Sequence, residues 1–555
     1  MTKMTGGRFV AETLKGYGTT HVFFMPVFGI RALKEIEELG MRRIMVHGEK
    51  PAAYMADGYA RISGRPGVCM AQSVGAANLA AGLQDPFLAK SPVIAMTGRR
   101  PQEHLQRHSY QEVDHRGPFE AVTKYSNAIT KLEQLPHALR QAFREAVSGS
   151  PAPVHLDFDG IAAQDIIDAE ADLEVIIEEQ FTKIPPFRPE PDNQSVQMAT
   201  KFISEAEKPI IVAGGGVAHS SAGKELVALA EKLSIPVVTS LNGKGTIPDD
   251  HPLCVGVVGS YSRWSANKAV CEADLVIYIG SSAGGMVTNE WTVPRPGSKV
   301  VQIDIDPREL GRNYSVLAAM QGDAKASILR LLDASEAKSR TAWTEQIQSL
   351  SKEWRLEVEP LMADDSTPVK TERLCRELTD LLPSDSILVS DTGHSGVWTG
   401  TMIDLKHPQQ SYIRCAGSLG WAFPAAMGAK CAEPNRPVIC FGGDGAMWYH
   451  LTEMETAVRC GINTVTVVNN NHSLNQEQGI NEGIYGGRSE GSDSLWIFPE
   501  ADFAAMAQSM GGLGLTVDKP GDFASALDQA LESGKPSLID VKTDIESITP
   551  AAWKP

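Results

Sequence analysis

The chain has 555 residues, 42% of them hydrophobic and 21% charged, with 50 glycines and 33 prolines spread throughout. That composition excludes a disordered or fibrous chain and suits about three globular domains. A net charge of −17 argues against nucleic acid or an anionic membrane as partner, yet leaves room for a small anion where a metal or local dipoles outweigh the global sign.

The eight cysteines, at 69, 254, 271, 375, 415, 431, 440 and 460, stand singly with no C-x-x-C pair. They read as buried thiols in a reducing compartment, neither a zinc knuckle nor a disulfide framework. The start, MTKMTGGRFVAETLKGYG, has no long apolar core or cleavage site, and no apolar run approaches the ~18 residues of a membrane span. The expectation is a cytoplasmic enzyme.

In chain order, short β-branched runs alternate with helix-period segments. The runs are THVFFMP, RRIMVHG, SPVIAMTG, KPIIVAGG, IPVVTSL, ADLVIYIG, SKVVQIDID, DSILVSD, RPVICFGG, NTVTVVNN and PSLIDVKT. Many carry consecutive apolar residues, as strands buried on both faces do, and helical patterns such as HALRQAFREAV and GKELVALAEKL lie between them. This β-α-β rhythm predicts an α/β fold of doubly wound parallel sheets. The Pro- and charge-rich stretch 178–195 and the charged helix with ADDSTPVK at about 334–372 divide it into domains at 1–165, 190–335 and 370–545.

The most informative segment is GGDGAMWYHLTEMETAVRCGINTVTVVNNN, residues 442–471. A strand ends in a glycine turn, a helix follows, and a second strand returns to the same edge with Asn470 and Asn471. Glycines at 443 and 445, with Ala446 behind them, let a backbone approach a phosphate closely. Asp444 adds negative charge where a diphosphate would be repelled, so the pattern calls for a bridging cation, and magnesium suits oxygen donors of this kind. A plain turn and a plain asparagine loop are the bland alternatives.

The spacing of GDG and NN resembles the fingerprint of thiamin-diphosphate enzymes, and RRIMVHGEKPAAYMADGYARISGRPGV resembles the corresponding segment of the acetolactate synthase-like family. The resemblance implies three domains (pyrimidine-binding, central Rossmann-like and diphosphate-binding) with thiamin diphosphate and Mg2+ as cofactors. It implies Asp444, Asn471 and the Ser473 carbonyl as magnesium ligands. Glu49 becomes the acid that hydrogen-bonds the aminopyrimidine N1′, a role that calls for burial. SILVSDTGHSGVW supplies Thr392, Gly393, His394 and Ser395 as phosphate contacts. RCAGSLGWAFPAAMGAK supplies Gly417 and Leu419, the latter as the apolar wedge that bends the cofactor. HSYQEVDH places Gln111 at the reacting centre, and His108 and His115 read either as proton carriers or as hydrogen-bonded loop residues. In this family the first domain of one subunit faces the third of another, which implies a homodimer or homotetramer with the site between subunits.

Elsewhere the chain departs from the family. FMPVFG places Val27 and Phe28 where small residues are usual, SVGAAN (73–78) is a shortened loop, and HSLNQEQGI puts Gln476 in the pocket and Ile480 where the family has a tryptophan. These changes imply a small 2-keto acid or other carbonyl substrate in a more polar pocket. The expected activity is decarboxylation with carboligation, with a 2-hydroxyacyl-CoA lyase or related C–C lyase as alternative. YIGSSAGGMVTNEW lacks the flavin-binding arginine, so FAD, the ADP part of coenzyme A, or nothing remains open for the central domain. Two other classes are a catalytically silent cofactor-binding subunit, which has no need of Glu49, and a serine hydrolase built on Ser418 in AGSLG, whose His and acid partners lack any recognisable context.

Overall fold

The computed structural model describes residues 2–555, which form three six-stranded sheets, parallel throughout. The first sheet runs Arg42–Met45, His21–Phe24, Gly67–Ala71, Val93–Arg99, Val154–Asp159, Tyr125–Ile129. The third runs Ser411–Arg414, Ile387–Ser390, Val438–Gly443, Val465–Asn470, Ser537–Lys542, Leu513–Val517. Numbered within their own domains, both read 2-1-3-4-6-5, so the outer domains share a topology that no sequence repeat announces. The central sheet, Cys254–Val257, Val237–Thr239, Pro209–Ala213, Leu275–Ile279, Val300–Asp304, Ala318–Gln321, reads 3-2-1-4-5-6, the dinucleotide-binding order.

The three sheets span residues 21–159, 209–321 and 387–542, with one addition. Thr2–Thr5 pairs antiparallel with Glu170–Leu173, so the first domain extends past residue 165. In the stretch 178–195, Phe181 packs on the first domain's core, and Asp192 caps the helix Asn193–Glu205 by accepting from the Ser195 N–H at 2.9 Å. The helix Thr341–Met362 spans the second boundary, with Trp343 in the central core and Trp354 in the third.

The outer domains share one core. The helix after the second strand of each, Glu49–Ser63 and Ala422–Ala432, cross at a glycine pair. A Cβ on Gly58 would stand 2.0 Å from the Ala425 carbonyl oxygen, and one on Gly428 1.9 Å from that of Met55. Only glycine permits this approach, which brings the two backbones into contact. The central domain is pinned to the third by Arg263, buried over the Trp354 ring, which donates to Asp404 at 2.5 Å and to the Thr401 carbonyl at 2.9 Å.

Candidate active site

Ligands of open α/β sheets bind beyond the carboxyl ends of the strands, where strand order reverses. In the third domain that place lies between Ile387–Ser390 and Val438–Gly443, and the loops leaving these strands carry residues 391–395 and 443–446. Asp444 opens the helix Asp444–His450 and is 2% exposed. Burial pushes its carboxyl up to about 7, against the Gly445 and Ser473 N–H groups that favour the charged form. Among the described residues no basic side chain pairs with it. Burying an ionised acid without a counter-charge is costly, and a divalent cation at this position would offset that cost.

The three asparagines divide the work. Asn469 accepts from the Thr371 hydroxyl at 3.1 Å, and Asn470 donates to Asp540 at 2.8 Å and to the Ala501 carbonyl at 3.1 Å. Both are occupied within the domain. Asn471, also buried, has its amide oxygen bonded only to the Ser473 hydroxyl, at 2.8 Å, and Ser473 is held by a bridge to Ile497. One carboxylate, one amide oxygen and one carbonyl make a hard, oxygen-only donor set that fits magnesium with the remaining positions left to water and phosphate.

Beside this set, Gly393 has φ +63° and precedes the helix His394–Thr401. Among the described residues no acceptor faces the N–H groups of His394 and Ser395, as a phosphate cradle requires. The His394 Nδ1 lies 2.9 Å from the Asn475 amide oxygen, and burial lowers the imidazole's pKa against that hydrogen bond. Gln476 is exposed, and its amide oxygen stands 2.6 Å from where a Gly393 Cβ would be, so it does reach the phosphate loop. Gly417 is exposed and Leu419 half-buried on the neighbouring loop.

Sequence reasoning passed over Asp391, the acid of the same S-D-T-G-H run. Its buried carboxylate accepts from the N–H groups of Thr392 (2.9 Å), Gly420 (3.1 Å) and Ala422 (2.8 Å), tying the phosphate loop to the wedge loop. Burial pushes it up to about 6, against those three donors. The signal was its place at the strand end.

The first domain presents a second cluster at the corresponding edge. Glu49 begins its helix and is half-buried, not buried as its expected role requires, and its one hydrogen-bond partner among the described residues is the Asn78 amide at 3.1 Å. The SVGAAN loop packs against it: a Cβ on Gly75 would lie 2.4 Å from the Glu49 carboxylate. The same loop reaches Gln111, because the Ser73 hydroxyl donates to the Gln111 carbonyl at 2.8 Å. Gln111 has φ +58° and a buried side-chain oxygen without a partner. The shortened loop therefore knits Glu49 and Gln111 together. His115 is a loop anchor, buried with its Nδ1 3.1 Å from Asp157. Phe28 departs from expectation. Its ring is wholly buried and packs edge-on to Phe158 at 5.7 Å, a core position that no substrate reaches, whereas its neighbour Val27 is 44% exposed.

No bond joins Glu49 or Gln111 to the Asp444 cluster within the described residues, so one chain displays two separate half-sites. A third feature is a cavity of about 520 Å³ at the switch point of the central sheet. Gly215, Gly280 and Ser281 line it, with Asp304 and Glu309 on one side and Arg414 and Ala416 of the third domain on the other. Burial holds Asp304 up at about 6. Ser418 gives no support to a hydrolase: its N–H is tied to Asp85 at 3.0 Å, and among the described residues no histidine bonds its hydroxyl. No helix among the described residues is long and apolar enough to cross a membrane.

Three family models of the thiamine pyrophosphate enzymes match the chain: the N-terminal TPP binding domain over residues 4–117, the central domain over 196–332, and the C-terminal TPP binding domain over 391–541. Similar proteins include the probable acetolactate synthase large subunit of Methanocaldococcus jannaschii, 34% identical over 98% of this chain and 92% of the relative. That of Methanococcus aeolicus is 32% identical over 91% and 86% respectively. The acetolactate synthase isozyme 2 large subunit of Escherichia coli is 30% identical over 99% and 97%.

Proposed function

The chain belongs to the thiamine pyrophosphate enzymes of the acetolactate synthase-like superfamily, and on that premise we propose that it is a carboligase acting on small 2-keto acids, its reaction site assembled between two subunits. The observation that carries this reading is the pair of incomplete half-sites, an acid with a glutamine at one sheet edge and an oxygen donor set at another. When bound, thiamin diphosphate would supply a carbon nucleophile and a thiazolium ring able to take up the electron pair of a cleaved C–C bond. Asp444, Asn471 and the Ser473 carbonyl would hold Mg2+, and the backbone N–H groups of His394 and Ser395 would bind the diphosphate. Leu419 supports the bend. Glu49 would hold a proton at the pyrimidine N1′, and Gln111 would orient the substrate with its amide, whose oxygen has no partner among the described residues.

Glu49 cannot meet this task half-exposed. A second copy covering it would desolvate the acid and also exposed apolar side chains beside the two half-sites, Val74 and Tyr110 in the first domain's loops and Trp448, Tyr449 and Ile480 on helices of the third domain. Glu49→Gln tests the core of the proposal. The variant is expected to bind cofactor and Mg2+ with near-native affinity while exchange of the thiazolium C2 proton slows by at least ~100-fold. Equal exchange in both proteins would leave the chain a silent cofactor binder. Pyruvate alone and with a second 2-keto acid, followed by mass spectrometry, then identifies the ligation product. Absence of any product or CO2 from a cofactor-loaded sample would sink the carboligase reading.

The central cavity supports a second reading, a 2-hydroxyacyl-CoA lyase. Its lining includes Ala416, beside the wedge loop, the glycine turn after the first strand of the central sheet, where a backbone can approach a nucleotide's phosphates, and the acid Asp304. Coenzyme A raising the melting temperature, with no flavin absorbance in the purified protein, would favour it over an FAD-binding carboligase.

A further inference from the structure

The two outer domains are joined by a buried set of charged side chains that none of the roles above requires. Asp85, on the helix Ala76–Leu88 of the first domain, is 1% exposed. It accepts from three consecutive backbone N–H groups of the third domain: Ala416 at 2.7 Å, Gly417 at 3.1 Å and Ser418 at 3.0 Å. These belong to the loop that presents Leu419. Glu453, on the helix Glu453–Cys460 of the third domain, is 0% exposed and accepts from the His47 N–H of the first domain at 2.9 Å. His47 belongs to the loop that presents Glu49.

The correspondence is topological as well as chemical. Each acid lies on a helix following the third strand of its own domain, and each holds the loop following the second strand of the other. An arginine on each side also reaches the end of the other domain's second strand, Arg459 from the helix that carries Glu453 and Arg61 from Glu49–Ser63, the helix after its own second strand. Arg61 donates to the Arg414 carbonyl at 2.6 Å, at the end of the third domain's second strand. Arg459 donates to the Met45 carbonyl at 2.8 Å, at the end of the first domain's second strand. Arg61 also bonds Asp85 at 3.2 Å and is forked onto Asp57, which accepts from the Trp421 indole at 2.9 Å. Glu453 is braced by the Thr456 hydroxyl at 2.7 Å.

We propose that Asp85 and Glu453 are reciprocal positioning residues, each reaching out of its own domain to fix by backbone N–H groups the loop with which the other domain presents its half of the reaction site. A buried carboxylate on N–H donors makes short, strong, directional bonds, and three in a row fix a loop whose glycine is otherwise exposed. Asp85 thereby holds Leu419 in place, and Glu453 holds the aim of Glu49. The roles fall in different reaction sites, because Leu419 serves the cofactor of its own chain and Glu49 that of the second chain. This assignment rests on the proposed function.

Amide hydrogen exchange on the cofactor-free protein provides the first test. The amides of 47 and 416–418 are expected to exchange at least ~100-fold more slowly than the amides of neighbouring exposed loops, and to lose that protection in Glu453→Ala and Asp85→Asn respectively. Unprotected amides in the unaltered protein would overturn the proposal even if both variants failed to fold. In the folded variants, C2 exchange at saturating cofactor is expected to fall about 100-fold with cofactor affinity near native, the split that misplacement produces. A purely structural role would lower the melting temperature and leave exchange per loaded site unchanged.

Hybrid dimers complete the test. A dimer pairing Asp85→Asn with Glu453→Ala has one site with both defects and one with neither, so it should recover about half the native activity although each parent is impaired. A Glu49→Gln with Asp444→Ala hybrid serves as control, since it too holds one intact site if sites form between subunits. Recovery in the control alone defeats the positioning roles. Recovery in neither defeats the intersubunit reading on which they rest.

Discussion

The first and third domains share a strand order, yet their half-sites are built in opposite ways. The third-domain end is closed: Asp444, Asn471 and Ser473 are buried, and Asp391 ties its two loops together from within. The first-domain end is open: Glu49 is half-buried with one partner, and Gln111 rests in a left-handed backbone conformation with its amide oxygen unsatisfied. An ion site needs rigid donors before the ion arrives, so its elements are finished within the chain. An acid whose task depends on exclusion of water can be finished only by what covers it, here a second copy in the proposed reading.

The comparison can be broken most directly at Asp444. Asp444→Ala removes the carboxylate of the proposed ion site and should weaken Mg2+-dependent retention of thiamin diphosphate by about 1,000-fold, beyond the 10–100-fold typical of an outer-shell partner. Isothermal titration with and without the metal would measure it. An unchanged affinity would mean that the diphosphate end lies elsewhere. Because the first-domain end is built separately, the Glu49–Asn78 contact should survive this change.

Next in size is the joint between the two ends. Gly58→Val places a Cβ within 2.0 Å of a backbone oxygen, with no flexible side chain to yield. Separating the helices should cost about 3 kcal/mol or more. Urea unfolding should show it, against Gly117→Ala, where nothing lies within 4 Å and little change is expected. If Gly58→Val were as mild as that control, the two outer domains would not share the crossing described.

What the sequence disclosed follows the same divide. The parallel sheets, the domain order, the GDG turn and the acid at the head of a helix were legible because each is local, carried by strand runs and by spacings within some thirty residues. Asp85 and Glu453 were not. Their acceptor oxygens meet N–H groups 331 and 406 positions away, and a backbone N–H leaves no mark in the sequence. Phe28 misled for a related reason. Adjacent residues of a turn point opposite ways, so Val27 faces out while Phe28 enters the core, and FMPVFG alone does not say which. Of the three asparagines, spacing alone brought Asn470 and Asn471 to one edge and the family resemblance pointed to Asn471; the pairing of Asn470 with Asp540 and of Asn469 with Thr371 agrees with that choice.

The smallest effect concerns what the open end stands on. Below the Gln111 loop, His115 bonds Asp157, which accepts from the Thr97 hydroxyl at 2.7 Å, and Thr97 lies 2.6 Å from the Nε2 of His155. The Nδ1 of His155 lies 2.9 Å from the Ser126 hydroxyl, and its ring stacks on Phe119 at 3.5 Å. Burial lowers the His155 pKa to about 3, helped by His115 and Arg99 and opposed by Asp157. With the folded value below the unfolded 6.5, the unfolded chain binds the proton first, and stability falls as pH drops below 6.5. From pH 7 to pH 5 the loss from this residue is about 2 kcal/mol. His21, His219 and His450, each lowered to about 4 mainly by burial, act in the same direction. Asp391, raised to about 6 at the closed end, acts oppositely: its folded form holds the proton longer, so its contribution falls as pH rises from about 4 to about 6. Denaturant midpoints at pH 7 and pH 5 should therefore differ less in His155→Gln than in the unaltered protein, by about 2 kcal/mol. An identical pH slope in both would show that the imidazole is not held neutral, and the foundation of the open half-site would need another account.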